Sequence, residues 1–472
     1  MPDVTFQHPD YVAANPKWRL VSDVCTGEDA VKARGEEYLP KPNPHDSSPA
    51  NAQRYAQYKK RTVFYNATGR TKQGLVGAVF SKWPVLNIPA ALSYAEDDID
   101  GTGVSIYQQS QKALSEVLKK GRHAVYVDYP AVDAPASKAQ QTAGLIRASV
   151  ISLNAESVIN WRTQKVGASH LLSLVVIKES IQQTTEDGFG LENIDQYRVL
   201  RLLDGFYRVE VWQKNADGEW SIASTYQPLN GKGQPWRFIP FTFIGAENND
   251  TSIDQPPIID LARLNLAHYR NSADYEDSTF FVGQAQPWAN AVTDQDLKHM
   301  QEQGMYVGSK VLLAFSGQSN FGFAQVQPNT MVKEAMDQKE RQMVALGARL
   351  LDKGSAVKTA TEAQAENEAE HSVLSLAASN VSEAYTLALS WMAEFMNAPA
   401  DVEYTLNQEF TRSELTPQML TALIQAWQSG QLPSSDLWAQ LKKYGVIDPE
   451  KDDESIKEEL ETSDSGLGLD DE

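Results

Sequence analysis

Two short segments carry residue types whose spacing could bind a phosphate or a cation. Residues 69–74 place two glycines at the separation found in phosphate-binding loops, but Leu75 and Val76 stand where such a loop needs a lysine and a hydroxyl. Residues 97–103 read DDIDGTG, which is similar to the start of a calcium loop, yet the twelfth position counted from Asp97 or Asp98 is not glutamate. We therefore predict no nucleotide site in the first segment and a turn in the second.

Catalytic side chains show no recognisable grouping along the chain. The seven histidines are at positions 8, 45, 123, 170, 268, 299 and 371, and no two are four residues apart. Neither an HExxH nor a GxSxG motif is present. Neighbouring carboxylates such as Asp452 and Asp453 are typical of solvated charged runs. The sequence therefore predicts no catalytic residue, no metal site and no cofactor.

One small group of positive charges lies in a short connector. Lys353 and Lys358 flank Gly354 and Ser355, between two segments of helical period. The residues alone leave two interpretations open. The lysines belong either to an ordinary linker between helices or to a mobile loop that offers positive charge to a polyanion.

The composition limits the class of protein. The 472 residues carry a formal net charge of -20, and residues 449–472 hold eleven Asp and Glu against two Lys. A domain that binds DNA through its phosphates would be basic, so a sequence-reading DNA-binding domain is not expected, although an acidic surface could let DNA slide past. Mean hydropathy is -0.43, no stretch of 18 apolar residues occurs, and Cys25 is the one cysteine. We expect no transmembrane helix, no signal peptide and no disulfide.

The strongest structural pattern is helical and covers residues 361–397. This segment contains neither proline nor glycine over its whole length, and Pro399 ends it. Thr361 and Gln364 fit a capping box at its start. Apolar residues recur at helical steps and form the stripe Ala365, Ala369, Val373, Leu376, Ala384, Leu387, Trp391 and Phe395. We predict one helix about 50 Å long.

Strands and further helices occur in blocks. Residues 1 to about 50 are rich in Pro, Asn and Asp, and their segment KPNPHDSSPAN predicts a loop or arm. Residues 105–120 predict a helix that ends at Gly121 and leads into a buried strand. Residues 148–245 form a run of strand patterns, in which Asp-Gly pairs at 204–205 and 217–218 are typical of hairpins. Helices are also predicted over 50–80, 256–281, 330–351, 416–430 and 435–445, and a strand over 403–412. The predicted fold class is α+β.

The order of these parts is more specific than any single motif. The segment LKKGRHAVYVDYP precedes the β-rich run, which closes with PFTFIGAENND and is followed by a helix that begins PPIIDLARLNLAHYRNSADYED. A return helix, a loop, the long helix and a terminal helical segment complete the series. This order resembles that of the portal proteins of tailed bacteriophages over residues 50–447.

The resemblance implies a portal fold with a β-rich wing, paired stem helices, a small α/β clip, a long wing-crossing helix and a helical crown. The acidic tail has no role in the family pattern, and we predict that it is disordered. Carried over to this chain, the regions are the N-terminal arm 1–49, wing 50–255, first stem helix 256–283, clip 284–328, second stem helix 329–351, tunnel loop 352–360, long wing helix 361–402, crown 403–448 and tail 449–472.

The resemblance also implies a function and partners. Portal proteins form a ring, usually of twelve copies, at one capsid vertex of the virion, where the ring is a channel for genome packaging and ejection. By this likeness the chain would bind copies of itself, the terminase large subunit, the head–tail adaptor, and the major capsid and scaffolding proteins. Double-stranded DNA would pass through without sequence specificity, no membrane would be involved, and assembly would take place in the host cytoplasm.

Two other classes remain open as alternatives. One is another ring-forming virion component, such as an adaptor or a minor capsid protein, although adaptors are usually much shorter. The other is a hydrolytic enzyme built on the β-rich half, which would need a clustered nucleophile and base.

Two groups of site residues follow from the resemblance. The tunnel loop would present Lys353, Gly354, Ser355 and Lys358 to DNA. The clip is more apolar than an excursion of 45 residues can bury alone, so we expect its apolar residues to pack between subunits. They are Met305, Tyr306, Val307, Leu312, Leu313, Phe315, Phe321 and Phe323.

The tunnel-loop assignment leads to a first prediction. Replacing both lysines, Lys353→Ala with Lys358→Ala, removes two positive charges from each copy, so DNA packaging or retention should fall while the assembly itself persists. An in vitro packaging assay, run beside native mass measurement, checks both halves. Packaging at the wild-type level would contradict the role in DNA contact.

Overall fold

The computed structural model describes residues 3–130, 146–185, 187–283, 286–290, 293–295, 298, 302, 320–324, 330–351, 372–408, 410, 417–429, 432–443, 447 and 451–457. The chain divides into two compact units, Met1–Gln408 and Glu409–Glu472. Helices and antiparallel sheets occupy separate stretches of the first unit, which confirms the predicted α+β class.

Most of the first 40 residues are helical, which the sequence analysis did not predict, whereas residues 41–48 of the segment KPNPHDSSPAN form a loop as predicted. Helix α1 is Pro9–Thr26, and α2 is Glu28–Ala33. His8 caps α1 by accepting a hydrogen bond from the backbone N–H of Asp10, and Pro9 occupies the first turn, where its missing N–H costs nothing. The apolar face of α1 is buried, and the indole of Trp18 donates to the carbonyl of Lys120 at 2.7 Å.

Three more helices follow before the main sheets. Helix α3 is Pro49–Arg61, α4 is Ala67–Val79 and α5 is Ile106–Lys120. Helix α5 has the predicted boundaries because Ser105 and Gln108 form a reciprocal capping box and Gly121 ends it in the left-handed conformation, at φ +66°. A Cβ at Gly121 would also come within 2.3 Å of the Asp254 carbonyl oxygen, so this position excludes any other residue.

Among the described residues the strands form four antiparallel sheets, and the predicted strand patterns over 148–245 are confirmed. One sheet has the order β3-β2-β9 and a second is the five-stranded meander β4-β5-β6-β7-β8, while β1 pairs with β12 and β10 with β11. The Asp-Gly pair 204–205 makes the tight turn between β6 and β7, with φ positive at both residues. The strands are β1 Val85–Asn87, β2 Arg122–Asp128, β3 Ser149–Asn154, β4 Val158–Val166, β5 Ser169–Thr184, β6 Leu191–Leu203, β7 Phe206–Lys214, β8 Trp220–Tyr226, β9 Phe241–Gly245, β10 Gln286–Asn290, β11 Asn320–Ala324 and β12 Glu403–Thr405.

Two helices form an antiparallel pair. Helix α6 is Ile259–Val282 and α7 is Met331–Arg349, as predicted for the segments 256–281 and 330–351. Strand β10 begins shortly after α6, strand β11 ends shortly before α7, and these two strands pair with each other. The end of α6 and the start of α7 therefore lie at the same end of the pair, and the buried residues of α7 are Met343 and Gly347.

The helix predicted from Thr361 begins later. Helix α8 is Val373–Phe395, and Ser372 caps it in an extended conformation by accepting a hydrogen bond from the N–H of Ser375. The predicted capping box at Thr361 and the stripe residues Ala365 and Ala369 lie outside the described residues.

The predicted stripe on α8 matches the true core face in part, because Ala384, Trp391 and Phe395 are buried as predicted. Val373 is 41% exposed and Leu387 39%, whereas Leu374, Val381 and Tyr385 are fully buried. Small residues occur on nearly every side of this helix, so its apolar stripe could be drawn in several ways.

In the second unit, the described residues include the two helices predicted for this region. Helix α9 is Pro417–Gln428 and α10 is Ser434–Lys443, and the indole of Trp427 donates to the Ser434 hydroxyl at 3.0 Å. Residues 453–457 are helical, and Asp453 accepts a hydrogen bond from the Lys442 ammonium at 2.6 Å. The prediction of disorder for the whole tail 449–472 is therefore wrong for this described part.

Among the described residues, no helix is long and apolar enough to cross a membrane. Within the same residues, no group of three or more His, Cys, Asp or Glu side chains has an arrangement that could hold a metal ion.

A buried histidine in β2 leads to a prediction about acid stability. His123 is fully buried with its Nε2 atom 2.9 Å from the Ser152 hydroxyl, and burial lowers its pKa to about 3. An unfolded histidine titrates near 6.5, so above that pH the histidine is neutral in both the folded and the unfolded chain. As the pH falls from there towards 3, only the unfolded chain takes up this proton, and the free energy of unfolding decreases. Between pH 7.5 and 5.5 the free energy of unfolding should drop about 1 kcal/mol less in His123→Gln than in the wild type.

Urea unfolding at several pH values measures this difference. His170→Gln, at an exposed position on β5, is the matched control and should keep the wild-type pH dependence. Equal slopes for the wild type and His123→Gln would show that His123 does not cause the acid sensitivity.

Candidate assembly site on the paired helices

The pair of α6 and α7 is half buried and half exposed along its length. On α6, burial is concentrated in the first four turns, where Leu261, Leu266 and Tyr269 are in the core. Residues 276–283 and 330–342 are exposed or intermediate at every position. Among the described residues, the end of the pair that carries the antiparallel strands β10 and β11 therefore leaves the core and has few neighbours.

Asn265 holds the inner end of α6 against α4. Its Oδ1 atom accepts hydrogen bonds from the backbone N–H of Thr68 at 3.1 Å and from the Thr68 hydroxyl at 2.9 Å. Its Nδ2 atom donates to the carbonyl of Tyr65 at 2.8 Å. These three bonds satisfy a completely buried amide, which would otherwise destabilise the core.

His268 joins the two helices. Its Nε2 atom is 3.2 Å from the Glu340 carboxylate of α7, and its ring is 97% buried beside the ring of Tyr65. Further towards the core, Gly347 of α7 lies against Thr71 of α4, where a Cβ would come within 3.1 Å of the threonine methyl group. The inner end is thus fixed by contacts from both helices.

Helix α3 braces the outer end of α6 through polar contacts. The hydroxyl of Tyr58 donates to Asp274 at 2.7 Å, and the guanidinium of Arg61 pairs with Asp277 at 2.7 Å. Burial and the bond to Asp274 raise the pKa of Tyr58. Arg61 also lies over the ring of Phe280 at 4.1 Å, which stabilises both groups.

The free surface of the outer end carries apolar side chains. Phe280 is 40% exposed, Phe281 47% and Trp288 on β10 44%. On α7, Met331 is 71% exposed and Val344 74%. Several large apolar groups on one exposed pair of helices are typical of an association surface.

A cleft opens beside the pair, between the start of α4 and the middle of α7. Its volume is about 560 Å³. The floor is apolar at Met343, and the rim carries two guanidinium groups, those of Arg70 and Arg341. The complete lining is Tyr65, Ala67, Arg70, Thr71, Asp337, Glu340, Arg341, Met343 and Val344.

The sequence-predicted site residues mostly fall outside the described part. Lys353, Gly354, Ser355 and Lys358 of the tunnel loop lie outside it, as do Met305, Tyr306, Val307, Leu312, Leu313 and Phe315 of the clip. Phe321 and Phe323 are on β11, where they pair in register with Ala289 and Pro287 of β10. Their roles stay predictions.

The residues that organise the described site were not singled out from the sequence, although the segment that contains them was. Asn265, His268, Asp274 and Asp277 all stand in LARLNLAHYRNSADYED. The sequence signal for these four residues is that they are polar and recur within a segment whose apolar residues have helical spacing. Their partners on α3 and α4 lie about 200 residues earlier, beyond the reach of a local pattern.

Comparison with known proteins gives a match to part of the chain. Residues 257–396, from the start of α6 to the end of α8, match the family described as Domain of unknown function (DUF4055). No curated protein matches the sequence. Two solved structures are similar to the chain: a chain of the neck of the native GTA particle computed with C12 symmetry, and a chain of the neck of the empty GTA particle computed with C6 symmetry.

These structural similarities are distant. The first has 11% sequence identity and a TM-score of 0.39, and the second has 12% identity and a TM-score of 0.37. Each covers 79% of this chain and 89% of the other.

The brace on the outer end leads to a prediction about local stability. Asp277 is 13% exposed and accepts from Arg61, so Asp277→Asn removes a nearly buried charge pair and should destabilise the outer turns of α6 by about 1–2 kcal/mol. Hydrogen exchange should become faster in residues 274–282 and stay unchanged in 259–269. Asp260→Asn, at a position 67% exposed in the first turn, is the control. Unchanged exchange near 277 would show that α3 does not hold this end.

Proposed function

We propose that the chain is a structural component of a virion and, more specifically, a portal protein that forms a ring at one capsid vertex. The observation that carries the proposal is the antiparallel pair α6–α7, which leaves the core, ends in a β-hairpin and exposes apolar residues along its outer half. A ring of such copies would place the pairs side by side and cover these residues.

The exposure pattern supports repeated, head-to-tail contact between copies. In a closed ring each copy uses two different surfaces, one towards each neighbour, so exposed apolar groups are expected on more than one side of the pair. Phe280 lies at the end of α6, and Val344 lies on α7 at the cleft. At about 1.5 Å per residue, the 24 residues of α6 would give such a ring a wall about 36 Å deep.

The charge supports passage of DNA through the ring rather than its capture. Each copy has a formal net charge of -20, so a ring of about a dozen would be strongly negative. A negative wall repels phosphate and keeps DNA from adhering. The tunnel-loop lysines, Lys353 and Lys358, would then be the points of brief contact.

The family match supports treating the helix pair and α8 as one functional part. The matched residues run from 257 to 396 and therefore contain α6, α7 and α8 together. The N–H of Leu374 donates to the carbonyl of Leu350 at 3.3 Å, so the start of α8 contacts the end of α7. A force on the α6–α7 pair would be transmitted to the core through this contact.

The partners follow from the same proposal. They are other copies of the chain, the terminase large subunit, the head–tail adaptor, and the capsid and scaffolding proteins. No catalytic role is proposed.

The test is the native mass of the purified chain, measured with negative-stain images of the same sample. A ring of about a dozen copies with a central hole is expected. A monomer or dimer at all concentrations, also in the presence of the capsid and scaffolding proteins, would overturn the proposal. Rings whose central hole is too narrow for a DNA duplex would favour the alternative that the chain is another ring-forming virion component.

A surface variant gives a sharper prediction. Ala345 is exposed on α7, so Ala345→Glu leaves the fold intact but places an additional negative charge between copies that already repel each other. The concentration at which half of the chain is assembled should rise at least tenfold. Ala13→Glu, the same change at an exposed position of α1, is the matched control and should assemble like the wild type. Equal assembly of both variants would exclude α7 from the interface.

A further inference from the structure

A two-stranded arm extends from the five-stranded sheet. Strand β4 pairs with β5 only as far as Ile177, and β7 pairs with β6 only from Tyr197 onward. Beyond Ile177 and before Tyr197, β5 and β6 pair only with each other, as far as the pair Thr184 and Leu191. The arm is about 20 Å long. An isolated ribbon of two strands is only marginally stable in water, so its extension needs a reason.

The tip of the arm is held by its own hydrogen bonds. The N–H of Thr185 donates to the carbonyl of Gly190 at 2.9 Å, and the N–H of Gly188 donates to the carbonyl of Thr185 at 2.8 Å. The carboxylate of Asp187 accepts from the Thr185 hydroxyl and from the N–H of Phe189, the latter at 3.1 Å. These bonds fix the backbone of Phe189.

The ring of Phe189 nevertheless contacts almost nothing in its own chain. It is 96% exposed, and Leu191 beside it is 65% exposed. A rigid turn that presents an aromatic side chain to water is typical of an anchor for a partner, because little conformational entropy is lost when the side chain is buried. The partner must therefore offer an apolar pocket.

Charge limits the partner further. Asp187 and Glu192 flank Phe189 in sequence, and both are exposed. The one nearby basic residue of the arm, Lys178, is within 3.5 Å of Asp195 and is offset by it. The tip is thus an apolar group with negative charges on both sides, and it fits an apolar pocket with a positive rim.

The cleft between α4 and α7 has these properties. Its volume of about 560 Å³ exceeds that of a phenylalanine side chain, and Met343, Val344 and Ala67 give it apolar walls. Arg70 and Arg341 at its rim have no ion-pair partner among the described residues. The rim also holds the carboxylates of Asp337 and Glu340, so it carries charges of both signs, and Arg70 and Arg341 are its positive groups.

We propose that Phe189 of one copy inserts into the α4–α7 cleft of a neighbouring copy, with Asp187 and Glu192 facing Arg70 and Arg341. Phe189 and Val344 are both exposed within one chain, so the contact is between chains. Tip and cleft are different surfaces, which makes the contact heterologous and able to close a ring. The proposal deepens the proposed function, because it names the contact that links the copies.

Cysteine cross-linking tests the contact directly. Cys25 is first replaced by serine; burial raises the pKa of its thiol to about 11, so the background reactivity is already low. Full-length chains then carry Phe189→Cys together with Val344→Cys. On oxidation, this double variant should give a ladder of disulfide-linked multimers on a non-reducing gel, because each copy has both halves of the contact.

Control variants distinguish this contact from disulfides that form when exposed cysteines meet at random. Either single variant can give dimers at most, and the double variant Phe189→Cys with Val12→Cys, whose second site is 53% exposed on α1, should give no ladder. A ladder equal in both double variants, or no ladder beyond dimers, would overturn the proposal.

A second measurement does not depend on introduced thiols. Phe189→Ala should raise the concentration for half assembly at least tenfold, whereas Val166→Ala, at an exposed site on β4 of the same sheet, should leave it unchanged. Equal assembly of the two variants would also overturn the contact.

The outcomes distinguish this inference from the proposed function. Rings that form without the ladder would refute the tip-in-cleft contact and leave the portal proposal standing. A ladder from a chain that forms open filaments instead of rings would support the contact and refute the portal.

Discussion

The packing of α8 across the three-stranded sheet is the contact on which the rest of the first unit depends. Alanines at 377, 384 and 388 on its buried face let the backbone of β2, β9 and α5 come close. The side-chain amide of Asn380 donates to the carbonyl of Gly245 at 3.0 Å, and the hydroxyl of Tyr385 donates to Gln109 of α5 at 3.1 Å. Because the N–H of Leu374 also donates to the carbonyl of Leu350, α8 connects the α6–α7 pair to the core.

The loop after β9 joins the three-stranded sheet to α8, and its close contacts restrict which residues fit in the segment PFTFIGAENND. A Cβ on Gly245 would come within 2.0 Å of the Asn248 carbonyl oxygen, so only glycine fits there. Asp254 accepts from the N–H of Glu247 at 2.7 Å, and Asn249 donates to the Asn380 carbonyl at 3.0 Å. The loop is therefore bonded to itself and to α8, which fixes the start of α6 a few residues later.

Arg122 fills the centre of the same junction. Its guanidinium lies between the rings of Trp161 and Phe243, at 4.2 and 3.5 Å, and donates to the carbonyls of Thr251 and Ser252. Burial lowers its pKa to about 9, which leaves it charged at neutral pH. A buried cation of this kind is stabilised by the rings and carbonyls around it, so the loop, β2 and β9 hold each other in place.

Local signals in the sequence predict the parts of this fold that are determined locally. The helix α5 and its glycine, the strand β2 and the Asp-Gly hairpins agree with prediction because capping and turn residues act within a few positions. The face of α8 could be predicted only in part, since alanine and serine fit either a core or a surface and only the neighbouring sheet decides between them. The contacts of Asn265 and Asp277 join residues about 200 positions apart, and no local period encodes them.

Charge determines what kind of contact can hold copies of this chain together. Each copy carries -20, so the summed field between two copies opposes their approach, and salt reduces that field beyond about 8 Å at physiological ionic strength. Attraction must therefore come from short-range terms, which are buried apolar area and charges paired at the contact. Phe189 with its flanking carboxylates and the cleft with Arg70 and Arg341 supply both terms in one small area. The general negative charge then disfavours every other approach of two copies, and the favoured one is the orientation that joins tip to cleft.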